Sequence, residues 1–149
     1  MPTYEKVART DAGLASELRL AVMRLRRRLT NERHPDNELS IPAMSVLGCL
    51  ARHNDELTIG DLARQERVQP PSMTRTVNCL EEGGYVERRP HETDGRQILV
   101  RLSEHGRDTL RADRARRDAW LAQRLTELTA DERAVLRAAA PILQGLATA

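Results

Sequence analysis

Apolar residues return every three to four positions through most of this chain, so helices dominate the reading. From about Asp11 to Thr30 the stripe is Leu14, Leu18, Ala21, Val22, Leu25 and Leu29. The opposite side carries Arg19, Arg24, Arg26, Arg27 and Arg28, which reads either as a solvated face or as one near phosphates or an acidic partner surface. Residues 1–10 are polar and read as a loose start, and residues 31–40 as a polar loop. Ser40 is the expected N-cap of a second helix, with Pro42 in the first turn, where a missing N–H leaves nothing unpaired. That helix runs to about Arg52 and is expected to bury Met44, Val46, Leu47 and Leu50.

The elements then shorten. After a second loop at HNDEL, Thr58 and Asp61 match a Thr-x-x-acid helix start. The helix is short, turns Ile59, Leu62 and Ala63 inward, and ends near Glu66. Pro70 and Pro71 fit only the first turn of a helix, which therefore starts there, runs to about Glu82 and stops at Gly83-Gly84. Tyr85 to Arg89 and Gln97 to Leu102 read as two strands. In the second, Ile98, Val100 and Leu102 alternate with Gln97, Leu99 and Arg101. The link PHETDG has turn chemistry.

Ser103 is the expected cap of a long helix with Leu110, Trp120, Leu121, Leu125 and Leu128 as its apolar members. Its middle, RADRARRD, is nearly all charged, which predicts a solvent-crossing segment between two packed ends. Thr129 and Glu132 form a capping-box pattern. The last helix is expected to bury Val135, Leu136, Ala139, Ile142, Leu143 and Leu146. The fold class is mainly α with a small β-hairpin, in one domain spanning residues 1–149.

Composition narrows this picture. Of 149 residues, 40% are hydrophobic and 31% charged, with no Phe, one Trp and two Tyr. The core must be aliphatic, and an aromatic stacking platform for single-stranded nucleic acid loses ground, since it needs several aromatics. A net charge of +2 is not that of a polycation, so any basic surface depends on placement. Lys6 is the only lysine, and an arginine bias this general reads as genome composition. Cys49 and Cys79 lack metal-ligand spacing and lie in apolar helical patterns, so both are expected to be buried thiols. His34, His53, His91 and His105 are isolated, and no metal site is expected. The polar start MPTYEKVARTD carries no signal-peptide pattern, and no apolar run suits a membrane span, so a cytoplasmic location is expected.

Chemistry concentrates between Thr58 and Ser103. A short helix, a three- to four-residue join and a second helix form a helix-turn-helix, whose second helix enters the DNA major groove N-terminus first. At about 100° per residue, Met73, Val77 and Leu80 share the packing side of that helix. The opposite side holds Pro71, Arg75, Asn78 and Glu82, flanked by Ser72 and Cys79. Arg75 has the fork for guanine or a phosphate pair, Asn78 could read adenine, and Ser72 could take a base or a phosphate. Glu81 and Glu82 would repel phosphate, so the C-terminal end should lift away. The hairpin adds Arg88, Arg89, His91, Arg96 and Arg101. At its tip Gly95 precedes Arg96, and the Asp94 carboxylate could orient that guanidinium toward a narrow minor groove. A helix-turn-helix followed by a basic hairpin is a winged helix.

With SMTRTVNCLEEGGYVERR and then DGRQILVRLSEHG, the stretch resembles the MarR family of bacterial winged-helix regulators. Asp94, Arg96, Leu102, Ser103 and Gly106 stand at that family's spacing, and the helices outside fit its order. The resemblance implies a homodimer in which helices at 11–30 and 103–149 interlock. The parts at 40–102 would meet successive major grooves of a pseudo-palindromic double-stranded DNA site. It implies DNA contacts from Ser72 and Arg75, a minor-groove role for Arg96 anchored by Asp94, and a phosphate contact near Arg88. The candidate recognition-helix set is therefore Gln69, Pro70, Pro71, Ser72, Thr74, Arg75 and Asn78; the candidate wing set is Arg88 and Arg96, with Asp94 orienting Arg96. Family members often bind small aromatic or phenolic acids, so such an effector is an open expectation. The peroxide-sensing cysteine near the first helix is missing here.

The resulting expectation is a dimeric, sequence-specific transcriptional regulator, a repressor, that needs no cofactor. No nucleophile–base constellation supports an enzyme. The alternative is a winged-helix module binding an acidic protein partner, which would more often expose an apolar face on the second helix.

Overall fold

The computed structural model describes residues 10–149. Apart from Thr10, the loose start expected at 1–10 lies outside the described residues. The helices are α1 (Asp11–Asn31), α2 (Ile41–Arg52), α3 (Ile59–Glu66), α4 (Pro70–Glu82), α5 (Glu104–Leu125) and α6 (Ala130–Thr148). The strands are β1 (Glu56–Thr58), β2 (Val86–Pro90) and β3 (Ile98–Leu102). The chain divides into two compact units, one spanning His34–Ala115 and the other formed by both ends, Met1–Arg33 with Arg116–Ala149. Among the described residues no helix is long and apolar enough to cross a membrane.

The central unit owes its elements to local chemistry that the sequence displays. Ser40 Oγ accepts from Ala43 N at 3.2 Å and starts α2. Thr58 Oγ1 accepts from Asp61 N at 3.1 Å and starts α3. Gly84, at φ 77, lets the chain leave α4 in the left-handed region. Tyr85 N then donates to Leu80 O at 2.9 Å and Gly84 N to Glu81 O at 3.0 Å, which satisfies carbonyls that the helix end leaves open. Tyr85 is thus absorbed by the helix stop, and β2 begins one residue later than the Tyr85 start expected.

The hairpin is part of a three-stranded antiparallel sheet in the order β1-β3-β2. The third member, β1, occupies the end of the segment read as a loop. Three residues are too few to show a period of two. Its cue is backbone instead: Asn54 and Asp55 take φ of 56° and 70°, a conformation that Asn and Asp tolerate, and turn the chain so that Leu57 pairs with Val100. The core holds Met44, Val46, Leu47 and Leu50 of α2, Leu62 and Ala63 of α3, Met73, Val77 and Leu80 of α4, and Val86, Val100 and Leu102 of the sheet. Ile98 is 44% exposed, because it pairs with Pro90 beyond the end of this core. Cys49 is buried as expected, whereas Cys79 is exposed, because it lies off the Met73–Val77–Leu80 packing line.

The other unit is different in kind. Thr10 caps α1 through Gly13 N at 3.1 Å. Thr129 and Glu132 close the predicted capping box of α6. Trp120 lies under Arg28, 4.6 Å from the guanidinium carbon to the ring centroid, and Arg124 approaches at 5.5 Å. Arg117 Nε donates to Leu29 O at 3.2 Å. The burial expected of α6 is not found within one chain: no residue of that helix is buried, and Val135 and Ile142 are each 66% exposed. The α1 stripe is likewise open, with Leu14 at 50%. An amphipathic period says only which side is apolar, not whether the same chain covers it. The charged middle of α5 also departs from a wholly solvated reading, since Asp113 is 2% exposed. A buried carboxylate is tolerated when it is partnered, and Asp113 is.

Candidate nucleic-acid interface

The two prolines at the start of α4 set its first turn, and Met73 N closes onto Gln69 O at 3.1 Å. Burial of Met73, Val77 and Leu80 then decides the opposite face. Gln69, Pro70, Pro71, Arg75 and Asn78 are exposed, and Ser72 and Thr74 are half-buried. The predicted recognition-helix set is therefore accessible along α4 and at Gln69, the residue before its first turn. Arg75 Nη2 donates to Ser72 Oγ at 3.3 Å, which holds the guanidinium along the N-terminal half of the face. The hydroxyl of Thr74 donates to Pro70 O at 3.0 Å, so that side chain keeps only acceptor capacity for a ligand.

The wing tip is built by its own polar groups. His91 N donates to Gln97 O and Gln97 N to Asp94 O, both at 3.0 Å. The His91 Nδ1 atom accepts from Thr93 N at 3.2 Å and from Asp94 N at 3.1 Å. Asp94 corrects the expectation placed on it. Its Oδ1 accepts from the main-chain N–H of Arg96 at 3.1 Å, not from the guanidinium. Two residues apart, a carboxylate and a backbone N–H close a small turn more readily than a long side chain folds back. Asp94 thus fixes where Arg96 leaves the chain and leaves its exposed head free to reach outward.

Arg88 also differs from expectation. It follows Val86 at the inward period of β2 and pairs with Val100 in register, so it points toward the helices and not out of the wing. Its Nη2 donates to Asn78 Oδ1, and its Nε stands 3.5 Å from Glu81 Oε2. Alternation from Val86 was the available signal, and the cluster of arginines obscured it.

Ser103 ties the base of the wing to the end of α4. Its hydroxyl donates to Gly84 O at 2.6 Å while accepting from Gly106 N at 3.0 Å, and its own N–H donates to Tyr85 O at 3.1 Å. Gly106 is required there, because a Cβ would stand 2.1 Å from Tyr85 O. With Leu102 buried, the Leu-Ser-x-x-Gly spacing is explained as a joint between wing, α4 and α5.

Placement, not total charge, makes the surface basic. The central unit contains eleven arginines against fourteen carboxylates, so its bulk charge would not attract phosphate. Arg64, Arg89, Arg107 and Arg111 are paired with Asp61, Glu56, Asp55 and Asp108, and Arg88 with Glu81. Arg75 and Arg96, on the outer helix face and at the wing tip, have no carboxylate partner among the described residues. The hydrogen bond from Arg64 holds the Asp61 carboxyl below its usual range. Burial, with the Glu66 carboxylate adding to it, pushes the Cys49 thiol up and away from reactivity.

A family model described as the MarR family matches residues 39–98. An HTH-type transcriptional regulator of Mycobacterium tuberculosis is 47% identical over 137 residues, covering 92% of this chain and 94% of that protein. A crystal structure from Pseudomonas aeruginosa, described as that of a transcriptional regulator protein, is 35% identical with a TM-score of 0.82, covering 95% of this chain and 99% of that one. The fold is also that of Streptococcus pneumoniae FabT, solved in complex with DNA, at 21% identity and a TM-score of 0.68, over 93% of this chain and 98% of that one.

Proposed function

Because the chain belongs to the MarR family of DNA-binding transcriptional regulators, which are not enzymes, we propose that it works as a homodimeric repressor on a pseudo-palindromic operator in the cytoplasm. The observation that carries this reading is the pair Arg75 and Arg96. These two guanidiniums lack carboxylate partners and stand where a groove helix and a wing present them, while five other arginines of the unit are neutralised. Pro70, Pro71 and Ser72 bring the start of α4 close to base edges, Arg75 reads a base or a phosphate pair, and Arg96 enters the minor groove. The polar outer face of α4 speaks against the protein-module alternative, and FabT, which shares the fold, was solved in complex with DNA.

The homodimer is supported by the open apolar faces of α1 and α6, where Leu14, Val22, Leu25, Val135, Ile142 and Leu146 are all at least 45% exposed. Patches of that kind mark association surfaces. Two-fold pairing would set half-sites about one helical turn apart, roughly 10 base pairs. Release of DNA by a small aromatic or phenolic effector rests on the family resemblance alone. Selection of bound duplexes from a random pool tests the reading. An enriched inverted repeat is expected, and enrichment of no sequence, or of a single half-site by a monomer, would overturn it.

A further inference from the structure

We infer that Arg88 is a positioning residue that turns the Asn78 carboxamide so that its N–H₂ end faces outward, making Asn78 a reader of base acceptors. The inference rests on the reading of α4 as the groove helix and goes beyond it. Arg88 reaches α4 because β2 places it on the core side, level with Val100. Its side chain is 25% exposed, with Nη2 donating to Asn78 Oδ1 and Nε 3.5 Å from Glu81 Oε2. Glu81 holds the guanidinium inward from the C-terminal end of α4 and Asn78 holds it from the middle.

The chemistry settles which end of the amide is which. The oxygen and nitrogen of an Asn side chain are ordinarily assigned from their hydrogen-bond partners. Arginine offers five donors and no acceptor, so only the amide oxygen can face it. Asn78 itself is exposed, and Nδ2 is the end that keeps both of its donors uncommitted. Two N–H donors on an open helix face suit guanine N7 or O6, thymine O4 or adenine N7, and do not suit the amino group of cytosine. An adenine contact made through both ends of the amide would have to share the oxygen that already accepts from Arg88. A residue of the wing strand thereby decides what a residue of the recognition helix reads.

The test is selection of bound duplexes from a random pool with the full chain, Arg88→Leu, Asn78→Ala and the double variant, each after its melting curve is recorded. Wild-type protein should prefer an acceptor-bearing base at one position of each half-site. Arg88→Leu should flatten that preference at least about fivefold while leaving other positions and the salt slope unchanged. In the Asn78→Ala background it should change nothing further. Three results would overturn the assignment: an unchanged profile in Arg88→Leu, the same flattening with Asn78 absent, or an equal loss on selected and random DNA with a slope shallower by about one, which marks a phosphate contact. If Arg88→Leu does not fold, Asn78→Asp decides, since it keeps the oxygen and lacks the donors. It should lose about tenfold on the selected site relative to random DNA, and wild-type affinity there would overturn the inference. A wild-type chain that enriches no sequence removes the function reading itself, whereas an enriched repeat with an indifferent Arg88→Leu removes only this step.

Discussion

The two units use the same helical periodicity to opposite ends. In His34–Ala115 the stripes of α2, α3 and α4 close on one another and on the sheet, leaving Leu47, Leu50, Leu62, Val77 and Leu80 with no exposed surface. In the unit formed by the chain's ends, equally regular stripes on α1 and α6 stay open, and α6 buries nothing. An apolar stripe in the first unit is a core, and in the second it is an open surface, the one that the proposed homodimer would cover. Folding free energy should thus sit mainly inside the chain for one unit and depend on association for the other.

The sharpest break in that contrast is a pair of truncations. Leu47→Ala should lower unfolding stability by about 2–5 kcal/mol at any protein concentration, as expected for a buried leucine. Ile142→Ala, 66% exposed in the single chain, should instead make the melting temperature and sedimentation coefficient more dependent on concentration. Identical behaviour of the two variants in denaturant titrations and sedimentation would erase the distinction. Next in size is Gly106→Ala. The new methyl meets the Tyr85 carbonyl, which is backbone and cannot step aside, so a loss of about 1–3 kcal/mol is expected by calorimetry. A neutral result would mean the wing joint is loose.

Smaller effects test the outer surface of the closed unit. Arg75→Ala should cost about 1–3 kcal/mol more on the operator than on random DNA, and equal losses would make Arg75 a phosphate contact. Arg96→Ala should weaken binding to many sequences and shallow the salt dependence by about one phosphate equivalent. An unchanged slope would remove the wing from the interface. Smallest is Asp61, whose carboxyl is held low by Arg64. Its folded pKa lies below its unfolded one, so the stability it contributes is present above the ordinary carboxylate range. That stability is lost as pH falls through the depressed value. The pair is well exposed, so Asp61→Asn should flatten the acid limb of a melting profile by well under about 1 kcal/mol.

Much of the fold was legible because its cues are local. Caps at Ser40, Thr58, Ser103 and Thr129, the prolines of α4 and the glycine stop at Gly84 act within three to five residues. The outer face of α4 followed from an angular count, since three buried residues leave the opposite side open. Other features were not readable. β1 is three residues long, and its pairing with β3 spans more than forty positions of sequence. Cys79 was expected to be a buried thiol although the angular count set it on the outer flank of α4, and it is exposed because Leu80, its neighbour, takes the packing position. Asp94 bonds the main-chain N–H of Arg96 and not the guanidinium expected, because composition names the two groups and not the geometry between them.

By itself, then, the sequence determined which residues form helices and strands and which side of each is apolar, because these depend on backbone preference and a fixed angular period. It also set the chemistry on offer at the outer face of α4 and at the wing. The tertiary structure decided who meets whom: Arg88 turns inward to Asn78 and Glu81, Ser103 joins Gly84, and α1 and α6 remain uncovered. These outcomes depend on distances between side chains far apart in sequence, and only packing of the whole unit brings those side chains within hydrogen-bonding reach.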